Sequence, residues 1–227
     1  MRPVKKIAVM QPYFYPYAGY FRLFHAVDHF VVLDSVQFMR RGRVHRCQLP
    51  GSGDEEWWLT LPINKCPLST DIADIRFRDD APALFEARID QALQSYAKEA
   101  GYPAIRKQLL DRMDIPVDYL CRQLTTVTRL LQFEAEISRS SESTYPMDGD
   151  YQDRIIGIVK AHEGTDYVNL TGGVDLYDAD RFSRAGIRLH FLAPYTGEFQ
   201  HLIPALIQSS ADDIRADIIR TTQFIND

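Results

Sequence analysis

The first 34 residues constrain the fold of this chain more than any other segment. An apolar run at 6–10 leads into an aromatic segment with two prolines, and an amphipathic pattern that ends near residue 26 follows. A second apolar run, at 29–34, ends in a carboxylate. Two apolar strands joined by a helix within about thirty residues indicate a βαβ unit, whose strands are parallel neighbours. We therefore expect an α/β fold with a mainly parallel, Rossmann-like sheet flanked by helices.

The remaining sequence continues this alternation of strands and helices. Further strands are predicted at 57–63, 72–77, 167–170 and 187–192, with a short polar strand or loop at 137–142. Helices are predicted at 80–101, 103–113, 117–132 and 150–164, between 177 and 186, and from 210 onwards. The middle of the chain is therefore a helical section. Because no linker, repeat or low-complexity stretch interrupts the pattern, we expect residues 1–227 to form a single domain.

Composition and charge argue against several classes of protein. The formal net charge of −5 gives no general attraction to nucleic acid, so no nucleic-acid partner is predicted. No apolar run approaches the roughly 20 residues that span a bilayer, which predicts no membrane insertion and a cytoplasmic location. The cysteines Cys47, Cys66 and Cys121 lack the spacing of a zinc site, and no metal is predicted. The cofactor and the oligomeric state are left unknown.

The aromatic segment after the first strand is the first candidate binding site. Its two prolines fix the backbone, its glycine permits a close backbone approach, and the helix that follows offers N–H groups to an anion. Packing against the sheet is the alternative role for at least half of the aromatic rings. No glycine-rich phosphate loop of the usual kinds is present. The substrate-binding residues predicted here are Gln11, Tyr13, Tyr17, Gly19 and Tyr20.

The tract at 17–20 occupies the position of the His-x-Gly-His motif of nucleotidylyltransferases. The glycine is in place, but neither histidine is present. Tyrosine can hydrogen-bond an oxyanion but carries no positive charge at neutral pH. A divergent nucleotidylyltransferase-like enzyme therefore remains one alternative.

A basic loop at 35–48 is the second candidate. It carries four arginines within seven positions and leaves the carboxyl end of the second strand, next to the aromatic segment. Guanidinium groups bind phosphate or carboxylate through paired hydrogen bonds, although a solvated charge run is the alternative for Arg40 and Arg41. The residues of this loop that we predict to bind substrate are Gln37, Arg41, Arg43 and Arg46.

Acid–base chemistry is assigned to Asp34 and His45. Asp34 ends the second strand and is predicted to act as a general base, to hydrogen-bond a sugar hydroxyl or to cap the following turn. Neighbouring arginines disfavour protonation of His45, which predicts a neutral imidazole suited to a base. Gly172 and Gly173, at the end of a later strand, are predicted to contact the ligand or to form a tight turn. No Ser, Cys or Lys stands out as a nucleophile.

With these residues in place, the chain resembles the WbqC-like protein family of bacterial surface-polysaccharide biosynthesis. The family signature Q-P-x-[YF]-x-P-[YW]-x-G-Y-F is matched by Q-P-Y-F-Y-P-Y-A-G-Y-F at 11–21. The family continues with D-D-V-Q and K-R-x-W-x-N-R, where this chain has D-S-V-Q at 34–37 and R-R-G-R-V-H-R at 40–46. Ser35, Arg43 and His45 therefore depart from the family pattern.

This resemblance implies a role in the assembly of sugar nucleotides or O-antigen. The implied function is a transferase that acts on a nucleotide-linked amino sugar, by acyl or aminoacyl transfer. A non-catalytic sugar-nucleotide-binding or scaffolding protein of the same pathway is the other alternative. The expected partner is a nucleotide sugar or another phosphate-bearing small molecule, with the basic loop on the pyrophosphate and the aromatic rings against the base or the sugar.

Overall fold

The structure, a computed structural model, describes residues 3–51, 56–145 and 149–225. Its strands are β1 (Lys6–Met10), β2 (His29–Val32), β3 (Arg46–Pro50), β4 (Glu56–Thr60), β5 (Glu136–Arg139), β6 (Asp166–Leu170) and β7 (Arg188–Leu192). Its helices are α1 (Arg22–Ala26), α2 (Ala81–Ala92), α3 (Tyr102–Leu109), α4 (Pro116–Leu130), α5 (Tyr151–Ala161), α6 (Ala179–Arg184), α7 (Leu202–Gln208) and α8 (Ala211–Thr221). Short 3-10 turns lie at Ala18–Phe21, Ile72–Asp74, Gln94–Tyr96, Ser140–Glu142 and Thr171–Leu176.

Five strands form one parallel sheet in the order β5-β2-β1-β6-β7. This confirms the predicted α/β fold with a parallel, Rossmann-like sheet. β1 pairs with β2 on one side and with β6 on the other. From β1, the sheet is extended first by β2 and β5 in one direction and then by β6 and β7 in the opposite direction, so the strand order reverses at β1. In open parallel sheets, the carboxyl ends of the two strands at such a reversal border a crevice that commonly holds a ligand.

Helices cover both faces of this sheet, which explains why its central strands are apolar throughout. On one face, Ala8 and Phe30 belong to a large core that includes Leu23 of α1, Leu124 of α4 and Ile218 of α8. On the other face, Ile7 and Val31 pack into a smaller core with α5 and α6. Successive strand residues point to opposite faces, so these neighbouring side chains fall in different cores.

The helical middle section is present as α2, α3 and α4. Each begins with a proline in its first turn, where the missing N–H costs no hydrogen bond. The helix predicted from residue 80 to 101 is shorter than expected, because α2 ends at Ala92 and a 3-10 turn follows. Among the described residues, no helix is long and apolar enough to cross a bilayer.

One predicted strand is absent from the structure, and one strand of the structure was not predicted. Residues 72–77 do not form a strand: a 3-10 turn at Ile72–Asp74 is followed by an isolated bridge between Phe77 and Ile63. The end of the basic loop forms β3, which pairs antiparallel with β4 in a separate two-stranded sheet. The signal for β3 is the alternation of buried Cys47 and Leu49 with more exposed neighbours. The four nearby arginines led us to interpret this segment as a charged loop.

Candidate functional site

A cleft of about 400 Å³ opens at the carboxyl ends of β1 and β6, where the sheet reverses direction. We call it the switch-point cleft. It brings together six of the residues predicted to bind substrate: Gln11, Tyr13, Tyr17, Arg43, Gly172 and Gly173. The other described residues that line it are Val9, Met10, Leu33, Tyr151, Asn169, Leu170, Leu176 and Tyr177.

The aromatic segment divides its rings between this cleft and the core. Tyr13 and Tyr17 line the cleft, whereas Phe14 and Tyr15 are buried. Tyr15 adopts a φ of 39°, a left-handed backbone conformation that is unfavourable for tyrosine. The chain bends here, and the rings on either side of the bend lie in different environments. The N–H of Phe14 donates to the carbonyl of Arg43 at 3.0 Å, which joins the aromatic segment to the basic loop beside the cleft.

Tyr20 and Gly19 lie behind the cleft and do not line it. The Tyr20 hydroxyl donates to the carbonyl of Gln11 at 2.7 Å from a fully buried ring, and so fixes the residue that does line the cleft. A Cβ at Gly19 would lie 2.6 Å from Cγ of Tyr195, with the Tyr17 ring also in the way. Gly19 therefore makes room for two tyrosine rings, and this contact is a sufficient reason for glycine at this position.

The opposite wall contains tyrosines and an asparagine that the sequence did not identify as site residues. The Tyr177 hydroxyl donates to that of Tyr151 at 3.0 Å and is 3.1 Å from that of Tyr167. Gly173 is buried against Asn169, since a Cβ there would lie 2.5 Å from Nδ2. The available signal was a polar residue, Asn169, near the carboxyl end of an otherwise apolar strand.

Tyr13, Tyr17 and Tyr151 of the cleft are neutral at physiological pH. Burial raises the pKa of Tyr13 and of Tyr17, and the nearby Arg43 opposes this shift at both. Burial and the neighbouring Tyr177 raise the pKa of Tyr151. Arg43 is the one charged side chain among the described residues that line the cleft. The cleft therefore offers one guanidinium group, two amide side chains and aromatic rings with hydroxyls that donate or accept hydrogen bonds.

Asp34 lies outside the switch-point cleft and is fully buried. One carboxylate oxygen accepts from Ser140 Oγ at 3.0 Å and from the N–H of Ser141 at 2.9 Å. The other accepts from Arg139 Nε at 2.8 Å and from Ser141 Oγ at 2.7 Å. A carboxylate has about four lone-pair positions, so these four donors occupy its capacity. This geometry favours an anchor between the ends of β2 and β5 over the predicted role of proton acceptor.

His45 also lies away from the switch-point cleft. Its ring contacts Phe38, with 5.0 Å between ring centres, and borders a second cleft formed with the loop after β4. Fully buried Val44 separates it in the chain from Arg43. The structure therefore does not bring the two predicted catalytic residues, Asp34 and His45, to one site.

The remaining predicted binding residues do not line the switch-point cleft either. Arg41 is exposed, and its carbonyl accepts a hydrogen bond from Arg46. The Arg46 guanidinium lies 4.0 Å from the ring centre of Trp58. Gln37 is exposed and forms a backbone bridge with Asp71. Within the described ranges, no three His, Cys, Asp or Glu residues are grouped so that they could hold a metal ion.

The buried imidazole of His45 makes stability dependent on pH. Burial, and then the charge of Arg46, lower its pKa from 6.5 to about 4. The unfolded chain therefore binds a proton at higher pH than the folded chain, and stability falls as the pH drops from about 6.5 towards 4. We expect His45→Gln to remove up to about 2 to 3 kcal/mol of this loss. Urea unfolding of both proteins from pH 7 to pH 4.5 measures the difference, and parallel pH profiles would contradict it.

Comparison with known proteins places the chain in a family without assigning it a reaction. The sequence model of the WbqC-like protein family matches residues 11–205. The chain is similar to the uncharacterized protein Rv1507c of Mycobacterium tuberculosis, with 33% identity over 60 residues, which is 26% of this chain and 26% of that protein. No solved structure matches the chain. Since the matched range contains the aromatic segment, the basic loop and the whole switch-point cleft except Val9 and Met10, this chain belongs to the WbqC-like protein family.

Proposed function

We propose that the switch-point cleft binds a nucleotide-linked sugar and that the protein is a transferase acting on it in bacterial surface-polysaccharide biosynthesis. The observation that carries this proposal is the composition of the cleft at the reversal of the sheet. Four tyrosines, one arginine and two amide side chains surround about 400 Å³. This volume lies within the range of about 300–1,000 Å³ that is usual for small-molecule sites.

Each class of side chain in the cleft suits one part of such a ligand. Arg43 presents a guanidinium fork to the diphosphate, a group that arginine binds through paired hydrogen bonds. Tyr13 and Tyr17 offer aromatic faces to the base or the sugar ring. Gln11 and Asn169 can donate to or accept from sugar hydroxyls, and the backbone at Gly172 leaves open space beside them.

The reaction that we propose is acyl or aminoacyl transfer to an amino sugar. The sugar nitrogen attacks the carbonyl carbon of an activated acyl group, a C–N bond forms, and the activating group leaves with the electron pair of the broken bond. The attacking nitrogen loses a proton, which passes to a base or to the leaving group. The contribution of this chain is to hold the sugar in place, since neutral tyrosine hydroxyls bind and orient it without carrying charge. The predicted cytoplasmic location is part of this proposal.

A non-catalytic sugar-nucleotide-binding protein is the second candidate. No carboxylate, histidine, cysteine, lysine or serine is found among the described residues that line the cleft. These are the usual general bases and nucleophiles of transferases. In addition, the carboxylate of Asp34 is already occupied by four donors.

Arg43→Ala tests the cleft directly. Because Arg43 is the cation of the cleft, we expect its loss to weaken binding of the preferred nucleotide sugar by about tenfold to a hundredfold. Arg41→Ala is the matched control, since it removes an exposed arginine of the same loop that does not line the cleft. A thermal-shift screen of UDP-, dTDP- and GDP-linked sugars, followed by calorimetric titration of the best ligand, measures the effect.

The outcomes separate the candidates. If no nucleotide sugar binds, or if both variants lose affinity equally, the binding proposal is wrong. If binding depends on Arg43, incubation with an acyl thioester and mass analysis of the sugar decides between the two functions. A mass gain on the sugar supports the transferase, and binding without any mass gain favours the non-catalytic protein.

A further inference from the structure

A second cleft of about 300 Å³ is bordered by His45, whereas Arg43, two residues earlier, lines the switch-point cleft. It is formed by residues of the segment before β3, by the end of β4 and the loop after it, and by residues before and within α2. Four basic side chains line it: Arg40, Lys65, Arg78 and Arg88. No aspartate or glutamate is among its described lining residues. We call this the basic cleft. In a chain with a net charge of −5, it is a local concentration of positive charge.

Backbone carbonyl groups hold two of these guanidinium groups in place. Arg40 donates from Nη2 to the carbonyl of Cys66 at 2.6 Å, and Arg88 donates from Nη1 to the carbonyl of Thr60 at 2.7 Å. Each bond uses one nitrogen and leaves other N–H donors of the same fork, so both groups are oriented before a ligand arrives. Arg78 pairs with the exposed Asp80 at 2.7 Å, which balances one of the four charges.

A buried histidine with an unsatisfied ring nitrogen forms part of the wall of this cleft. His45 is only 9% exposed, and its Nδ1 has no hydrogen-bond partner among the described residues. Buried polar atoms nearly always have a partner, because leaving one unsatisfied destabilises the fold. The low pKa of this imidazole keeps it neutral at pH 7, so that it can donate one hydrogen bond and accept another.

We propose that the basic cleft binds the phosphate groups of a small anionic ligand, at a site separate from the switch-point cleft. Three basic groups without a carboxylate partner in the cleft match the charge of a diphosphate. The oriented forks of Arg40 and Arg88 suit tetrahedral phosphate oxygens. The two clefts share no described lining residue, and buried Val44 lies between the residues that border each. A transferase with two such sites would hold two phosphate-bearing substrates in separate clefts.

Inorganic pyrophosphate is the probe, titrated calorimetrically into the full chain at low ionic strength. The test variant is Arg40→Ala/Lys65→Ala, which removes two exposed charges of the basic cleft. The matched control is Lys98→Ala/Lys160→Ala, which removes two exposed charges that line neither cleft. We expect the test variant to lose at least about tenfold in affinity and the control to stay within about twofold of the parent. Thermal unfolding of each protein verifies that it is folded.

Three outcomes would overturn the proposal. The first is that pyrophosphate does not bind to the parent protein. The second is that the test and control variants lose the same affinity for pyrophosphate. The third is that Arg43→Ala abolishes pyrophosphate binding whereas Arg40→Ala/Lys65→Ala retains it. The last outcome would place the phosphate in the switch-point cleft, and so would support the proposed function while removing the second site. Citrate is the comparison ligand, and binding as tight as that of pyrophosphate would overturn the assignment to phosphate.

Discussion

Replacing Asp34 with alanine is expected to lower the free energy of unfolding by about 3–5 kcal/mol. The carboxylate is fully buried and is the shared acceptor for Arg139, Ser140 and Ser141. Its removal leaves the Arg139 guanidinium without its buried partner and takes away an acceptor of the buried Ser140 hydroxyl. Arg139 ends β5, the two serines follow it, and Asp34 follows the neighbouring strand β2. The variant therefore also weakens the contact between these two strands at the edge of the sheet. Urea unfolding at pH 7 measures the loss.

Asp118→Ala is the matched control for this prediction. Asp118 binds the same guanidinium, at 2.7 Å from Arg139 Nη1, but it is 35% exposed. Exposed ion pairs contribute about 0–1 kcal/mol, so we expect this variant to stay within that range. Removing both buried partners in Asp34→Ala/Arg139→Met is expected to cost less than the sum of the single variants, because no charge is then left unpaired. Equal losses from Asp34→Ala and Asp118→Ala would show that Asp34 is not an anchor.

The parts of the fold that the sequence predicts are those determined by residues close together in the chain. β1, α1 and β2 follow one another within 27 residues, from Lys6 to Val32, and their apolar patterns alone indicate the parallel pair. The place of the cleft followed from the same reasoning, because the carboxyl ends of parallel strands meet at one edge of the sheet. Gln11 and Gly172, which are far apart in the chain, both line this cleft, and their role in binding stays a prediction.

The pairing of Asp34 with Arg139 illustrates what local patterns cannot determine. The two residues are 105 positions apart, and they meet because β5 adds to the edge of the sheet beside β2. The sequence places a carboxylate at the end of a strand, but it does not say which donors surround that carboxylate. Whether such a group is an anchor or a base depends on those donors.

The basic loop shows a second limit. Its arginines were expected to act together, but Arg43 lines the switch-point cleft, Arg40 lines the basic cleft and Arg46 stacks on Trp58. The direction of each side chain depends on the backbone path between residues 38 and 46, which has no regular periodicity. Val44 is fully buried between Arg43, which lines one cleft, and His45, which borders the other. One run of like charges can therefore serve two different clefts.

The interior also contains an arginine that no sequence pattern singled out, and its replacement by methionine is expected to cost about 3–5 kcal/mol of stability. Arg22 begins α1 and is 1% exposed. It donates to the carbonyl of Gly19 at 3.1 Å, and to those of Ala193 and Thr221 at 2.9 Å each. These bonds tie the aromatic segment to the end of α8 and to the chain after β7. Methionine fills part of the space but leaves two buried carbonyl groups and one partly buried carbonyl group without this donor.

Arg220→Ala is the control for Arg22→Met, since it removes an arginine of α8 that is 61% exposed and pairs with Asp217. Asp217 is buried but keeps its hydrogen bonds from the Tyr195 hydroxyl and the N–H of Glu198, so we expect this control to cost about 1 kcal/mol, well below Arg22→Met. Arg22→Lys keeps the charge but supplies a single ammonium group in place of the fork, so it should recover only part of the loss. Because Arg22 holds the turn that carries Tyr17, partial unfolding in Arg22→Met is expected to weaken nucleotide-sugar binding before the sheet itself unfolds. If Arg22→Met unfolds at the same urea concentration as Arg220→Ala, the prediction is wrong. The hydrogen bonds of Arg22 would then not be needed to hold the aromatic segment, and with it the wall of the switch-point cleft, in place.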